Sequence, residues 1–186
     1  MPILKKEDDI YPADLLQNAL VLADQDRRWY CLYTISRREK DLIRKLVAKQ
    51  ICCYLPIVPK RFRSPAGRLR TSFIPLFHNY AFLFANEAER LFCLTTNCIS
   101  RIQEVKHPEQ LVRDLSLIQL AIGQGTPLTA EARIEPGQRI RVRSGPFQGY
   151  EGQVIRREGK TRLLLSIQFL EQSVSMEVDE AVLEIL

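Results

Sequence analysis

The sequence predicts an α+β domain, an antiparallel sheet flanked by helices, linked to a small C-terminal β-barrel. Three observations carry this. Between residues 27 and 122, aromatic and β-branched runs alternate with capped helical patterns. From residue 138 onward only short strand runs remain, separated by glycine turns. The charge is also partitioned, with 17 basic and 8 acidic residues in 27–132 against eight of each in 133–186.

The elements follow in order. Residues 1–26 hold two lysines and six acids and read as an N-terminal extension, with a helical turn or two between Ala13 and Ala23. Trp29 to Ile35 is rich in aromatic and β-branched residues and predicts a strand. Ser36 with Glu39 three residues later has the capping-box spacing, so a helix is expected over 37–50. Leu42, Ile43, Leu46, Val47 and Gln50 form its inner face. Arg38, Lys45 and Lys49 line another stripe, with Arg37, Lys40 and Arg44 beside it.

Ile51 to Pro59 predicts a strand broken by prolines, hence an edge or bulged one. Arg61 to Thr71 is basic and contains Pro65 and Gly67, the pattern of a hairpin tip. Strand character resumes over Ser72–Phe84, with Pro75 interrupting it. Asn86, with Glu87 and Glu89 behind it, caps a short helix to Leu94. Ile99–Val105 is a strand. Pro108 opens a helix to about Ile122, with Leu111, Leu115, Ile118 and Ile122 at helical spacing. Residues 123–135 read as a linker. Five short strands are expected at 138–143, 151–157, 161–169, 173–179 and 182–185, enough for a small closed or nearly closed barrel.

The composition argues against several classes of function. No apolar run approaches the ~18 residues of a membrane span. The N-terminus turns acidic where a signal peptide needs its apolar core. A soluble, cytoplasmic protein is expected. Cys31, Cys52, Cys53, Cys93 and Cys98 are odd in number and sit among apolar neighbours, which favours reduced, buried thiols over disulfides. His78 and His107 lie in no metal-ligand spacing. No phosphate loop or nucleophile motif is present. The expectation is a binding protein, not an enzyme, with no cofactor or metal.

Two segments resemble a known family. Gly137 to Ile155 holds an alternating strand, a Gly145-Pro146-Phe147 turn and then Gly149-x-x-Gly152-x-Val154, and it resembles a KOW motif. Trp29-Tyr30 and Pro75-Leu76-Phe77-His78-Asn79-Tyr80-Ala81-Phe82-Leu83 resemble the N-terminal (NGN) domain of NusG proteins. The Asn79-Tyr80 pair is closest to the RfaH-type antiterminators. His78 departs from the family, standing where a proline is usual. The resemblance implies an extension over 1–26, an NGN-like domain over 27–122, a linker over 123–135 and a KOW domain over 136–186.

By that resemblance, the first domain grips the clamp helices of RNA polymerase through an aromatic surface, here Tyr33, Phe77, Tyr80 and Phe82. Thr95 and Thr96 align with the end of a threonine stretch that touches the opposite polymerase lobe. Arg37, Arg38, Lys45, Lys49 and Arg101 occupy positions comparable to those that meet non-template DNA or nascent RNA; such charges position a nucleic acid without specifying its sequence. The KOW domain would recruit Rho or a small-subunit ribosomal protein near Phe169 and Leu170. RfaH-type proteins can refold this domain into helices. Leu163 to Leu170 fits both periods, and the strand is the expectation. The chain is expected to act as a monomer. Three roles stay open: a specialised antiterminator on particular operons, a general elongation factor, or a KOW-containing RNA-binding translation protein. The neutral barrel disfavours the last.

Overall fold

Two long apolar strand runs, 28–34 and 80–85, organise the first sheet. In a computed structural model of the chain, residues 6–18, 26–65, 67–131, 137–157, 159–167, 170 and 172–186 are described. They divide into two compact units, Met1–Pro108 and Glu109–Leu186.

In the first unit, β1 (Ile10–Tyr11), β2 (Arg28–Thr34), β3 (Cys52–Tyr54), β6 (Tyr80–Ala85) and β7 (Ile99–Glu104) form an antiparallel sheet in the order β1-β3-β6-β2-β7. The two central strands are buried on both faces, as an interior strand rich in apolar residues should be. One face packs a core of Tyr30, Leu32, Ala81 and Leu83 with Leu42, Ile43 and Leu46 of helix α2 (Glu39–Ala48) and Cys93 of helix α3 (Glu87–Thr95). At roughly 1.5–3 kcal/mol for each fully buried large apolar side chain, this cluster dominates the stability of the unit.

Strands β4 (Ile57–Arg63) and β5 (Leu69–Pro75) stand apart as a two-stranded ribbon. The N-terminal extension is partly built into the fold. β1 pairs with β3, and Leu15 and Leu16 of the short helix α1 (Leu15–Asn18) are buried. Of the stretch expected to be helical, residues 19–23 lie outside the described residues.

The helix starts divide into one expected cap and one surprise. Asn86 caps α3 in a full capping box. Its side chain accepts from the Glu89 N–H, and the Glu89 carboxylate accepts from the Asn86 N–H. The box expected between Ser36 and Glu39 does not form. Helix α2 begins later, its N-cap is Arg38, and no side chain caps it. Arg37 takes a left-handed φ of 63° and turns the chain before the helix. The Glu39 carboxylate is engaged elsewhere.

The second unit contains helix α4 (Pro108–Gly123), whose Leu111, Leu115 and Ile118 are buried as the spacing predicts. It also holds a six-stranded antiparallel sheet, β13-β9-β10-β11-β12-β8. Its strands are β8 (Leu128–Glu131), β9 (Gln138–Val142), β10 (Glu151–Arg157), β11 (Lys160–Ile167), β12 (Gln172–Glu177) and β13 (Leu183–Ile185). All five expected strands are present. Among the described residues the strands form a ladder in which no pairing joins β13 to β8, so a closed barrel is not shown. Residues 128–131, within the stretch expected as a linker, pair with β12. Gly145 and Gly149 adopt φ of 88° and 83°, as their turn demands. At Gly152 the close neighbour is a ring: a Cβ there would stand 2.6 Å from the Tyr150 side chain.

Candidate functional site

Antiparallel register places directly opposed residues on one face of a sheet. Arg101 of β7, Tyr33 of β2 and Tyr80 of β6 oppose one another across three strands. They form a row at the end of the sheet. In the next row on the same face, Cys31 and Phe82 are buried while Gln103, on the edge strand, is exposed. Tyr33 and Tyr80 are half-buried. Their rings lie 4.4 Å apart at 57°, and the Tyr80 hydroxyl donates to the Tyr33 hydroxyl at 2.6 Å. The Arg101 guanidinium sits 6.0 Å from the Tyr33 ring centroid, within cation–π reach. Burial, and then the hydrogen bond to Tyr33, push the Tyr80 phenol well above the ordinary tyrosine range. Tyr80 therefore stays protonated across physiological pH, and the pair forms a polarisable aromatic shelf beside one cation.

Two local irregularities aim this shelf. The register between β2 and β7 shifts between Tyr33 and Thr34, a bulge of the kind that redirects a side chain. The turn before Tyr80 is pinned at Asn79, which takes φ 65°. Asparagine tolerates that conformation better than most residues. The Asn79 carbonyl accepts from the Thr34 N–H at 2.9 Å, and its own N–H donates to the Glu39 carboxylate at 3.0 Å. Glu39 is only 6 % exposed. It is a positioning residue that the sequence reading assigned to a helix cap; its spacing from Ser36 concealed a partner 40 positions away.

The remaining expected contacts scatter. Phe77 and Phe82, expected on the gripping surface, are 2 % and 0 % exposed. They are core side chains and offer no surface in this structure, because Tyr80 stands at the sheet end while Phe82 lies one pleat further in. Thr95 is exposed, its hydroxyl donating to the Phe92 carbonyl. Thr96 is buried, with its hydroxyl on the Cys93 carbonyl at 2.6 Å.

The α2 stripe is mostly engaged in structure. The Lys45 amine donates to the Thr96 carbonyl at 3.0 Å and pairs with Asp41 at 3.2 Å. It therefore ties α2 to the end of α3 and does not present a free charge. Arg38 also pairs with Asp41, Arg44 pairs with Glu7, and the Lys49 amine lies 5.8 Å from the Phe92 ring centroid. Arg37 is exposed. In the second unit, Leu170 is 9 % exposed and presents no apolar docking surface, and Phe169 lies outside the described residues.

The β4–β5 ribbon carries no role that the sequence resemblance implies. Lys60, Arg61, Arg63, Arg68 and Arg70 lie in it with no acidic residue between 57 and 75. The basic run was visible as a hairpin tip; its regular pairing was not.

An aromatic shelf with a flanking guanidinium, mounted on an antiparallel sheet, has the chemistry of macromolecular recognition. Aromatic and arginine side chains are those that anchor interfaces. The three strands that carry it, β2, β6 and β7, fall within residues 27–118, which match the NusG family, described as Transcription termination factor nusG. No curated protein sequence matches the chain. Among solved structures, the crystal structure of an MjSpt4:Spt5 complex, conformation B, is similar at 14 % identity and a TM-score of 0.27. That similarity covers 85 % of this chain and 96 % of that chain.

Proposed function

We propose that the chain is a transcription elongation factor that binds RNA polymerase and suppresses pausing or termination, acting on particular operons. One observation carries the reading. The segment that matches NusG contains a half-exposed aromatic pair, held in place by a buried carboxylate and flanked by an arginine. The Tyr33–Tyr80 shelf supplies the apolar grip on the polymerase clamp helices. Thr95, exposed at the end of α3, supplies a second contact. Arg101 and Arg37 face the non-template strand or the nascent transcript.

The test is binding of purified protein to assembled elongation complexes at low ionic strength, paired with transcription across pause sites and terminators. Removing the anchor in Tyr80→Ala should weaken binding by roughly 2 kcal/mol, the threshold for an interface hot spot, and abolish read-through. Tyr80→Phe keeps the ring and should keep most of the affinity. A folded Tyr80→Ala protein that binds as tightly as wild type would rule out this surface.

A further inference from the structure

The strongest unassigned feature is the basic ribbon, and its charges are arranged on both sides. The β4–β5 register opposes Lys60 to Ser72 and Phe62 to Arg70 on one face. It opposes Arg61 to Thr71 and Arg63 to Leu69 on the other. Each face therefore carries two cations. Lys60, Arg61, Arg63 and Arg70 are all exposed, and among the described residues none of the four makes an ion pair. Phe62 and Leu69, on opposite faces, are 44 % and 67 % exposed. At the base, Ile57 belongs to the core of the unit and Phe73 packs against it. The ribbon is thus anchored at one end and solvated at the other. Seven residues per strand give a reach of about 23 Å.

A flat polyanionic surface could neutralise only one of these faces. A ligand that uses both must flank the ribbon on two sides. Single-stranded nucleic acid would instead favour one charged groove with several stacking aromatics, and this ribbon offers one aromatic side chain in its exposed part. The major groove of B-form DNA, about 12 Å wide, admits a two-stranded β-ribbon between two phosphate walls. The major groove of A-form RNA is too deep and narrow for side chains to read.

We propose that the β4–β5 ribbon enters the major groove of duplex DNA, with Lys60 and Arg70 holding one phosphate wall and Arg61 and Arg63 the other. Phe62 and Leu69 meet the apolar edges of the groove, thymine methyl groups among them. This site is separate from the aromatic shelf and does not rest on the polymerase reading. Its polar contacts are to phosphate, so it positions the protein on a duplex with little selection of sequence beyond those thymine methyl contacts.

The experiment is fluorescence anisotropy of the full chain with a 24-base-pair DNA duplex across a salt series, with no polymerase present. Lys60→Gln/Arg70→Gln and Arg61→Gln/Arg63→Gln should each weaken binding about tenfold and flatten the slope of log K against log salt by about two. Arg61→Lys/Arg63→Lys preserves the charge and should bind within about threefold of wild type. DNA whose major groove is filled by glucosylated hydroxymethylcytosine should lose binding, and Tyr80→Ala should leave it unchanged. Several results would overturn the proposal: no binding to the duplex at low salt, loss confined to one face, equal binding to filled-groove DNA, or equal binding to an RNA duplex or single strand. Because all four cations are exposed, circular dichroism of the variants should match wild type. A Tyr80→Ala protein that fails on elongation complexes but binds this duplex separates the two sites.

Discussion

Glu39 and Asp41 are both helix-start acids, and the fold gives them different tasks. Glu39 is buried, and its carboxylate holds the Asn79 amide at 3.0 Å, which fixes the turn that presents Tyr80. Glu39→Ala strands that amide and should destabilise the protein by about 1.5–3 kcal/mol, as for hydrogen bonds to charged groups. It should also reduce polymerase binding with Tyr80 itself intact, whereas Glu39→Gln retains an acceptor and should restore both. Thermal melts alongside elongation-complex binding would separate this role from a purely structural one, in which stability falls and affinity per folded molecule does not. Asp41 sits at the surface among cations. Hydrogen bonds from Lys45 and then from the Cys98 thiol hold its carboxyl below the ordinary range. A carboxyl lowered in the native state adds stability above its unfolded value, about 3.9, and loses it as pH falls through the native value. The melting temperature of Asp41→Asn should lie below that of wild type at pH 7, and the gap should close below about pH 4. A gap that persists in acid would mean the side chain acts by shape and not charge.

At the scale of elements, what could be read from the sequence depended on how local the cause was. Helix α3 was legible because Asn86 and Glu89 satisfy one another three residues apart. The same rule misread Ser36 and Glu39, because a distant turn competes for the carboxylate. Period-2 patterning found all five C-terminal strands, yet strand pairing at 128–131 depends on β12, and no local pattern announces it. The site was half legible for the same reason. Tyr33 and Tyr80 were named from the sequence. Only the register shows that Arg101 joins them and that Phe82 falls in the next row, where it is buried beside Cys31. Glycine roles sort in a similar way. Gly145 is required by its φ of 88° alone, since an added Cβ there meets nothing. Gly137, inconspicuous in sequence, has a Cβ position only 2.1 Å from the Val154 backbone carbonyl. Gly145→Ala should cost about 1–2 kcal/mol for the left-handed residue. Gly137→Ala forces β9 and β10 apart at their last pair and should cost at least as much as a typical overpacking, about 1–3 kcal/mol. Denaturant melts that rank Gly137→Ala as the milder change would contradict this geometry.

For the molecule as a whole, the segment 163–170 is the place where two folds compete on paper. Its apolar residues satisfy a strand period and a helix period alike, so patterning alone leaves the outcome open. Hydrogen bonding decides it. β11 is an interior strand, paired along its length with β10 on one side and β12 on the other. Leu163, Leu164 and Leu165 are all buried, so both of its faces are covered. A helix over these residues would break both ladders together and expose Leu163, Leu165 and Ile167 from a packed face before any helical contact replaced them. The cost falls on neighbours as well. The Tyr150 hydroxyl donates to the Leu164 carbonyl at 3.1 Å, and Arg162 reaches Ser175 on β12. Burial also raises the Tyr150 phenol to about 12, so that donor stays protonated across physiological pH. The amides of residues 163–165 should therefore be among the slowest to exchange in the C-terminal unit, and carbon chemical shifts across 161–167 should be those of a strand in the full-length protein. Helical shifts there, or fast exchange at Leu164 with the rest of the unit protected, would show that the sheet is only one of two states available to this sequence.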